Sequence, residues 1–122
     1  MEKGFIDPCP LHSKEDNLNK IYDGKKIFIN PPYSQISKWV DFIENNLHYA
    51  WEIHLLIPAR TDTKYFHELI KLHPIIYFIK GRLHFNDKGT APFPSIIMKF
   101  VGSGGYFTYP IYKVLNLEEF IK

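Results

Sequence analysis

Asn30-Pro31-Pro32-Tyr33 brings an amide, a proline-stiffened backbone and an aromatic face together within one tetrapeptide. An exocyclic amine on a planar ring is a poor nucleophile, because its lone pair is delocalised into the ring. Two acceptors placed on its two N–H bonds favour a more tetrahedral nitrogen and free that lone pair. The Asn30 side-chain oxygen can be one acceptor and the Pro31 carbonyl the second. Tyr33 offers a face on which a flat ring can stack. Pro31 and Pro32 have fixed φ angles and no amide donors, and each holds the residue before it in extended or polyproline geometry, so the segment is a stiff loop. The plainer reading of the same residues is an Asn-Pro-Pro turn beside a buried tyrosine. The flanking elements bear on the choice.

Ile27-Phe28-Ile29 is a short apolar, β-favouring run of the kind that becomes a buried strand, and it stops abruptly at Asn30. Ser34 is suited to cap a helix starting at about Gln35. Asn30–Tyr33 therefore lies at the carboxyl end of a strand in a strand-loop-helix unit, where open α/β sheets bind ligands. Ile36, Val40, Ile43 and Leu47 recur at helical spacing, which predicts an amphipathic helix over roughly 35–50 with Trp39 on its buried border. Ile53–Ile57 is the next buried strand, closed by Pro58 and expected to pair parallel to Ile27–Ile29. Its loop, Pro58-Ala59-Arg60-Thr61-Asp62-Thr63, then falls on the same sheet edge as Asn30. There Arg60 can grip a backbone phosphate or pair with Asp62, and Thr61 or Asp62 can cap a helix that runs to about Leu72 and must stop before Pro74.

Ile75–Ile79 is a third apolar strand, extended or turned by Lys80–Phe85. Ser95–Val101 makes another, forming with it an antiparallel pair at one side of the sheet. Asn86-Asp87-Lys88-Gly89 is a run of turn formers between them. Gly102-Ser103-Gly104-Gly105 lacks a following helix with phosphate-binding spacing and reads as a flexible turn. Tyr106–Lys122 holds a β-like aromatic stretch and then a short helix near Leu117–Ile121. Near the start, Gly4-Phe5-Ile6 can end a first short strand, broken by Asp7-Pro8-Cys9-Pro10. Leu11–Gly24 is polar, closes on an Asp-Gly turn, and reads as a mobile connection.

With 122 residues the chain has room for one domain, 1–122, with a single modest core. Hydrophobic content of 45% with 23% charged residues is ordinary for a soluble globular protein, and a net charge of +2 is compatible with nucleic acid without demanding it. A single cysteine, Cys9, excludes an internal disulfide and has no visible activating partner. The six histidines include no i, i+4 pair, so no metal is expected. No apolar run is long enough to span a membrane, and no signal-peptide hydrophobic region follows Met1, so a cytoplasmic location is expected.

Ile29–Ser34 resembles the catalytic signature of amino-group methyltransferases that use S-adenosyl-L-methionine. The chain as a whole resembles their phage-type branch, the Dam-like DNA N6-adenine methyltransferases of phages and prophages. The resemblance rests on Asp7-Pro8-Cys9, on Asn30-Pro31-Pro32-Tyr33-Ser34, on Leu56–Thr63 with Phe66-His67, on Gly81-Arg82-Leu83 with Phe85, and on Ala91-Pro92-Phe93-Pro94-Ser95, in that order from about Phe5 to Phe100. It implies a compact or truncated Rossmann-like methyltransferase sheet, α/β and mostly parallel, with helices packed on it. It further implies that Asp7, Pro8, Cys9 and Asn30 face S-adenosyl-L-methionine, that Asn30, Pro31, Pro32 and Tyr33 are catalytic, and that Ser34, Arg60, Lys64, Arg82 and Lys88 meet DNA. The chain departs from the fuller pattern between Asp7 and Asn30, a gap with room for about one short helix or a loop. No acidic residue for the cofactor ribose is identifiable there. Two alternatives stay open: a methyltransferase acting on a protein glutamine, and a non-catalytic or partner-dependent DNA-binding remnant of such an enzyme, with a homodimer or a partner chain completing the cofactor site in the partner-dependent case.

Overall fold

Why the apolar runs become strands is plain from their burial: Ile27, Ile29, Ile53 and Leu55 are each fully buried and Ile57 almost so. The computed structural model describes residues 4–9, 17–84 and 92–102, and the backbone of 111–116. Among these, β1 (Lys26–Ile29), β2 (Glu52–Pro58), β3 (Ile75–Lys80), β4 (Ser95–Val101) and β5 (Ile111–Asn116) form one sheet in the order β1-β2-β4-β3-β5. β1 and β2 are parallel with Ile27 opposite Ile53, as the intervening helix requires.

The antiparallel pair does not sit at one side of the sheet. β4 runs against both β2 and β3 and lies between them, while β5 pairs parallel to β3 and forms the outer strand. Burial explains this position. Ile96, Met98 and Phe100 face one side of the sheet and Ile97 the other, and all four are at most 3% exposed, as suits an interior strand covered on both faces. Four strands thus point one way, but only two of the four neighbouring pairings are parallel.

Helix α1 (Ile36–Asn46) and helix α2 (Lys64–Ile70) both pack on the face formed by Ile27, Ile29, Ile53, Leu55, Ile57, Ile76, Ile96, Met98 and Phe100. Trp39 is in this core, as its spacing predicts. A smaller cluster of Phe28, Leu56, Ile79, Leu83 and Ile97, joined by Phe5 and Tyr77, lies on the opposite face. Helix α1 is shorter at both ends than 35–50. Ser34 does not cap it: Tyr33–Gln35 is a single 3-10 turn, Gln35 stands at the cap position of α1, and neither start has a side-chain cap. Thr61 and Asp62 do not cap α2, which follows Thr63. Beyond Ile70 the chain turns through His73, a non-glycine residue at positive φ, before Pro74.

Residues 17–24 are anchored rather than mobile. Asn46, fully buried, donates through Nδ2 to the Lys20 and Phe42 carbonyls at 3.1 and 3.0 Å and accepts the Tyr22 amide on Oδ1 at 2.8 Å. Leu18 and Tyr22 pack against the main core. The Asp23-Gly24 turn then delivers the chain into β1, with Gly24 at φ 69°, a conformation side chains disfavour. Gly102, at the end of β4, has a different reason: a Cβ there would meet the Ala50 carbonyl, so only glycine fits. Asn46→Ala removes the bonds that tie residues 20–22 to α1 and is expected to lower stability by about 2–3 kcal/mol. Urea unfolding checks this, and an unchanged midpoint would contradict it.

Expectations for Phe85, Lys88, Ala91, residues 103–105 and the helix near 117–121 lie outside the described residues.

Candidate functional site

Ile6 forms an isolated parallel bridge with Ile27, its amide donating to the Lys26 carbonyl and its carbonyl accepting the Phe28 amide, each at 2.9 Å. Asp7-Pro8-Cys9 therefore leaves the sheet alongside β1 and toward the same end as Asn30. The carboxyl ends of β2 and β3 reach that end too, and β4 starts there, with Ser95 opposite Pro58. The described parts of the five separated stretches thus come to one end of the sheet.

Asn30 is exposed and Pro31 buried. Neither the Asn30 side chain nor the Pro31 carbonyl has a hydrogen-bond partner among the described residues. Pro32 holds extended polyproline geometry at φ −56° and ψ 142°, and its carbonyl accepts the Gln35 amide at 2.9 Å, which fixes the exit of the loop. Tyr33 is 42% exposed, and its ring meets the Phe93 ring edge-on at 6.4 Å. The plainer reading, with a buried tyrosine, is not what the loop shows.

Phe93 is a residue that sequence reasoning gave no role, although its Pro-Phe-Pro setting marks a stiff segment. It links three of the converging stretches. Besides touching Tyr33 it lies beneath the Arg60 guanidinium, 5.0 Å from the ring centre. The Pro94 carbonyl accepts the Ala59 amide at 2.8 Å, and Arg82 Nη1 donates to the Pro92 carbonyl at 2.6 Å. Arg60 does not pair with Asp62 among the described residues; its charge rests on an aromatic face. Arg82 has one guanidinium nitrogen committed to holding this segment. Lys64 is almost fully exposed and sits 3.7 Å from Glu68, a weak helix-surface pair. Ser34 is exposed beside Tyr33.

The loop after β2 is held by short bonds. Thr63 Oγ1 donates to the Arg60 carbonyl at 2.7 Å, and His67 Nε2 lies 2.8 Å from the Thr61 carbonyl, which requires the Nε2–H form. Asp7 Oδ1 accepts the Cys9 amide at 2.9 Å, and Asn17 Nδ2 donates to the Pro8 carbonyl at 2.9 Å.

Burial, with the Asp7 charge beside it, raises the Cys9 thiol above its ordinary value of 9.0, so it is not an activated nucleophile. Burial, with Tyr65 nearby, raises the Tyr33 phenol above 10.0. Burial also raises Tyr65 above 10.0, against the opposing hydrogen bond to Thr63 and the charge of Arg60. Each of these groups is harder to ionise folded than unfolded. Its contribution to stability is complete below the ordinary value and is lost as the pH rises through the raised one. The melting temperature is expected to fall from pH about 9 upward, and Cys9→Ser to move that onset toward the range of the two tyrosines. Melting independent of pH through the alkaline range would contradict these shifts.

A sequence model of the family described as DNA N-6-adenine-methyltransferase (Dam) matches residues 10–96. The chain belongs to the Dam family. No curated protein sequence matches it. Membership makes DNA methyltransferase chemistry, with DNA as substrate, the activity of the family. The span matched to the Dam family includes Asn30–Tyr33, the loop after β2, Arg82 and Phe93, and begins just after Asp7-Pro8-Cys9. Among the described residues no helix is long and apolar enough to cross a membrane.

Proposed function

We propose that this chain transfers a methyl group from S-adenosyl-L-methionine to the N6 amino group of adenine in DNA, with the base flipped into the Asn30–Tyr33 loop. The observation that carries this reading is the pair of acceptors, the Asn30 amide oxygen and the Pro31 carbonyl, both without partners among the described residues, in the same loop as the half-exposed Tyr33. Family membership supplies the substrate class.

The cofactor, when bound, supplies an electrophilic methyl on a sulfonium. Everything else falls to the chain. A duplex hides adenine N6, so flipping costs a few kcal/mol of unstacking and unpairing. Stacking on Tyr33 offsets part of that. Asn30 and Pro31 then accept the two N–H bonds and orient the amine lone pair away from the ring. Positive charge develops on this nitrogen, and the role given to the two oxygens is to meet it, so the effect is positional and electrostatic. No base needs to act first, and the proton that the methylated nitrogen then sheds passes to water.

Asp7, Pro8, Cys9 and Asn30 are assigned to the cofactor side. Asp7-Pro8-Cys9 leaves the sheet one strand from Asn30, and the buried Asn17 Oδ1 next to it has no donor among the described residues. Such an acceptor fits a ligand rich in N–H and O–H groups. Arg60, Lys64, Ser34 and Arg82 are assigned to the DNA side. The sheet is read as a compact form of the Rossmann-like methyltransferase sheet.

A partner-dependent remnant is the second reading, favoured by one observation: both described helices cover the same sheet face. Transfer of labelled methyl from S-adenosyl-L-methionine to duplex DNA by the purified chain separates the readings. Labelled DNA supports the enzyme. Labelled protein with unlabelled DNA would overturn the substrate assignment, and no transfer without an added partner would favour the remnant.

A further inference from the structure

Asn17 lies in a polar stretch that gives no sign of a site, yet the residue is only 8% exposed. Nδ2 donates to the Pro8 carbonyl, and Pro8 is itself buried. Rotating the amide would set two oxygens against each other, so this bond fixes which atom points away. That atom, Oδ1, is buried and meets no donor among the described residues. A buried acceptor without a donor is destabilising, and such atoms call for a physical reason. Leu18, the next residue, packs against the core and Nδ2 is tied to Pro8, so the amide is held in place.

The missing partner must be an N–H or O–H group. The Asp7 carboxylate is one residue from the carbonyl that Asn17 holds, and its charge reaches the Cys9 thiol. No ion pair of Asp7 is found among the described residues. With the Asp7 carboxylate one residue from the carbonyl that Asn17 holds, a cationic N–H donor is favoured over a neutral hydroxyl.

We propose that Asn17 is a ligand-positioning residue whose Oδ1 accepts a hydrogen bond from the ammonium group of the cofactor's amino-acid moiety. This rests on the cofactor reading above and assigns to it a residue from outside the sequence signatures.

Calorimetric titration of the full chain tests it with two probes, S-adenosylhomocysteine and its desamino analogue, in which hydrogen replaces the ammonium. The wild-type chain is expected to bind the analogue about tenfold more weakly than the parent, the size of one hydrogen bond to a charged group. Asn17→Ala is expected to bind the parent about tenfold more weakly than wild type and to lose the distinction between the probes, as a coupled pair requires. Asn17→Ser, whose hydroxyl can still donate to the Pro8 carbonyl, takes the place of alanine if alanine unfolds in ligand-free melting. Equal binding of both probes by wild type would overturn the proposal. So would a folded variant that weakens both probes by the same factor, since Asn17 would then act only by holding Pro8. Failure of folded wild type to bind S-adenosylhomocysteine at all would instead overturn the cofactor reading, a separate result.

Discussion

Asn30→Ala is expected to reduce methyl transfer at least about a hundredfold, the loss typical of removing one preorganised polar group from the charge that develops in a transition state. The melting temperature should stay close to wild type. Asn30 is exposed, its side chain has no hydrogen-bond partner among the described residues, and β1 ends at Ile29 before it. Stability and activity are therefore separable at this position, which is unusual for a residue next to a buried strand. Asn30→Asp keeps oxygen acceptors in place and should retain more activity than alanine. Turnover unchanged in the alanine variant would remove the role given to the amide.

Tyr33→Ala should lower kcat/KM by about ten- to a hundredfold, because stacking on an aromatic face is worth roughly 1–3 kcal/mol per base. Tyr33→Phe should stay near wild type, since the ring does the holding and the phenol, raised by burial, stays protonated at neutral pH. The effect should be larger on duplex DNA than on a substrate with the target base already unpaired, where less flipping energy has to be met. Phe93→Ala removes the ring that meets Tyr33 and underlies Arg60 and should move kcat/KM in the same direction by a smaller factor. Equal losses in Tyr33→Phe and Tyr33→Ala would contradict the stacking role.

Much of the framing of the candidate site was legible because local chemistry dictates it. The abrupt end of Ile27-Phe28-Ile29 at Asn30 marks a strand end, and Pro31 and Pro32 stiffen the loop beyond it. The parallel pairing of β1 and β2 comes from the helix between them. Strand order was not legible. The placement of β4 between β2 and β3 depends on contacts distant in sequence, and the sequence clue was an apolar run, Ile96-Ile97-Met98, buried on both faces. Phe93 was missed because its role arises only when Tyr33, Arg60 and Arg82 are brought to it from elsewhere in the chain. Asn17 and Asn46 were missed for a related reason. Polar residues in a lysine- and asparagine-rich stretch, or at a helix end, read as solvated, and only the fold shows them buried and bonded to distant carbonyls. Helix caps failed at Ser34 because the prolines force a 3-10 turn, Tyr33–Gln35, ahead of α1.

Incubating the purified chain with S-adenosyl-L-methionine and unmethylated duplex DNA, digesting the DNA to nucleosides and resolving them by mass spectrometry tests the central claim most directly. The acceptor pair at Asn30 and Pro31 predicts a methyl group on the exocyclic nitrogen of deoxyadenosine, absent from the Asn30→Ala reaction. Methyl groups found on a ring atom, or on deoxyadenosine in equal amount with Asn30→Ala, would contradict it.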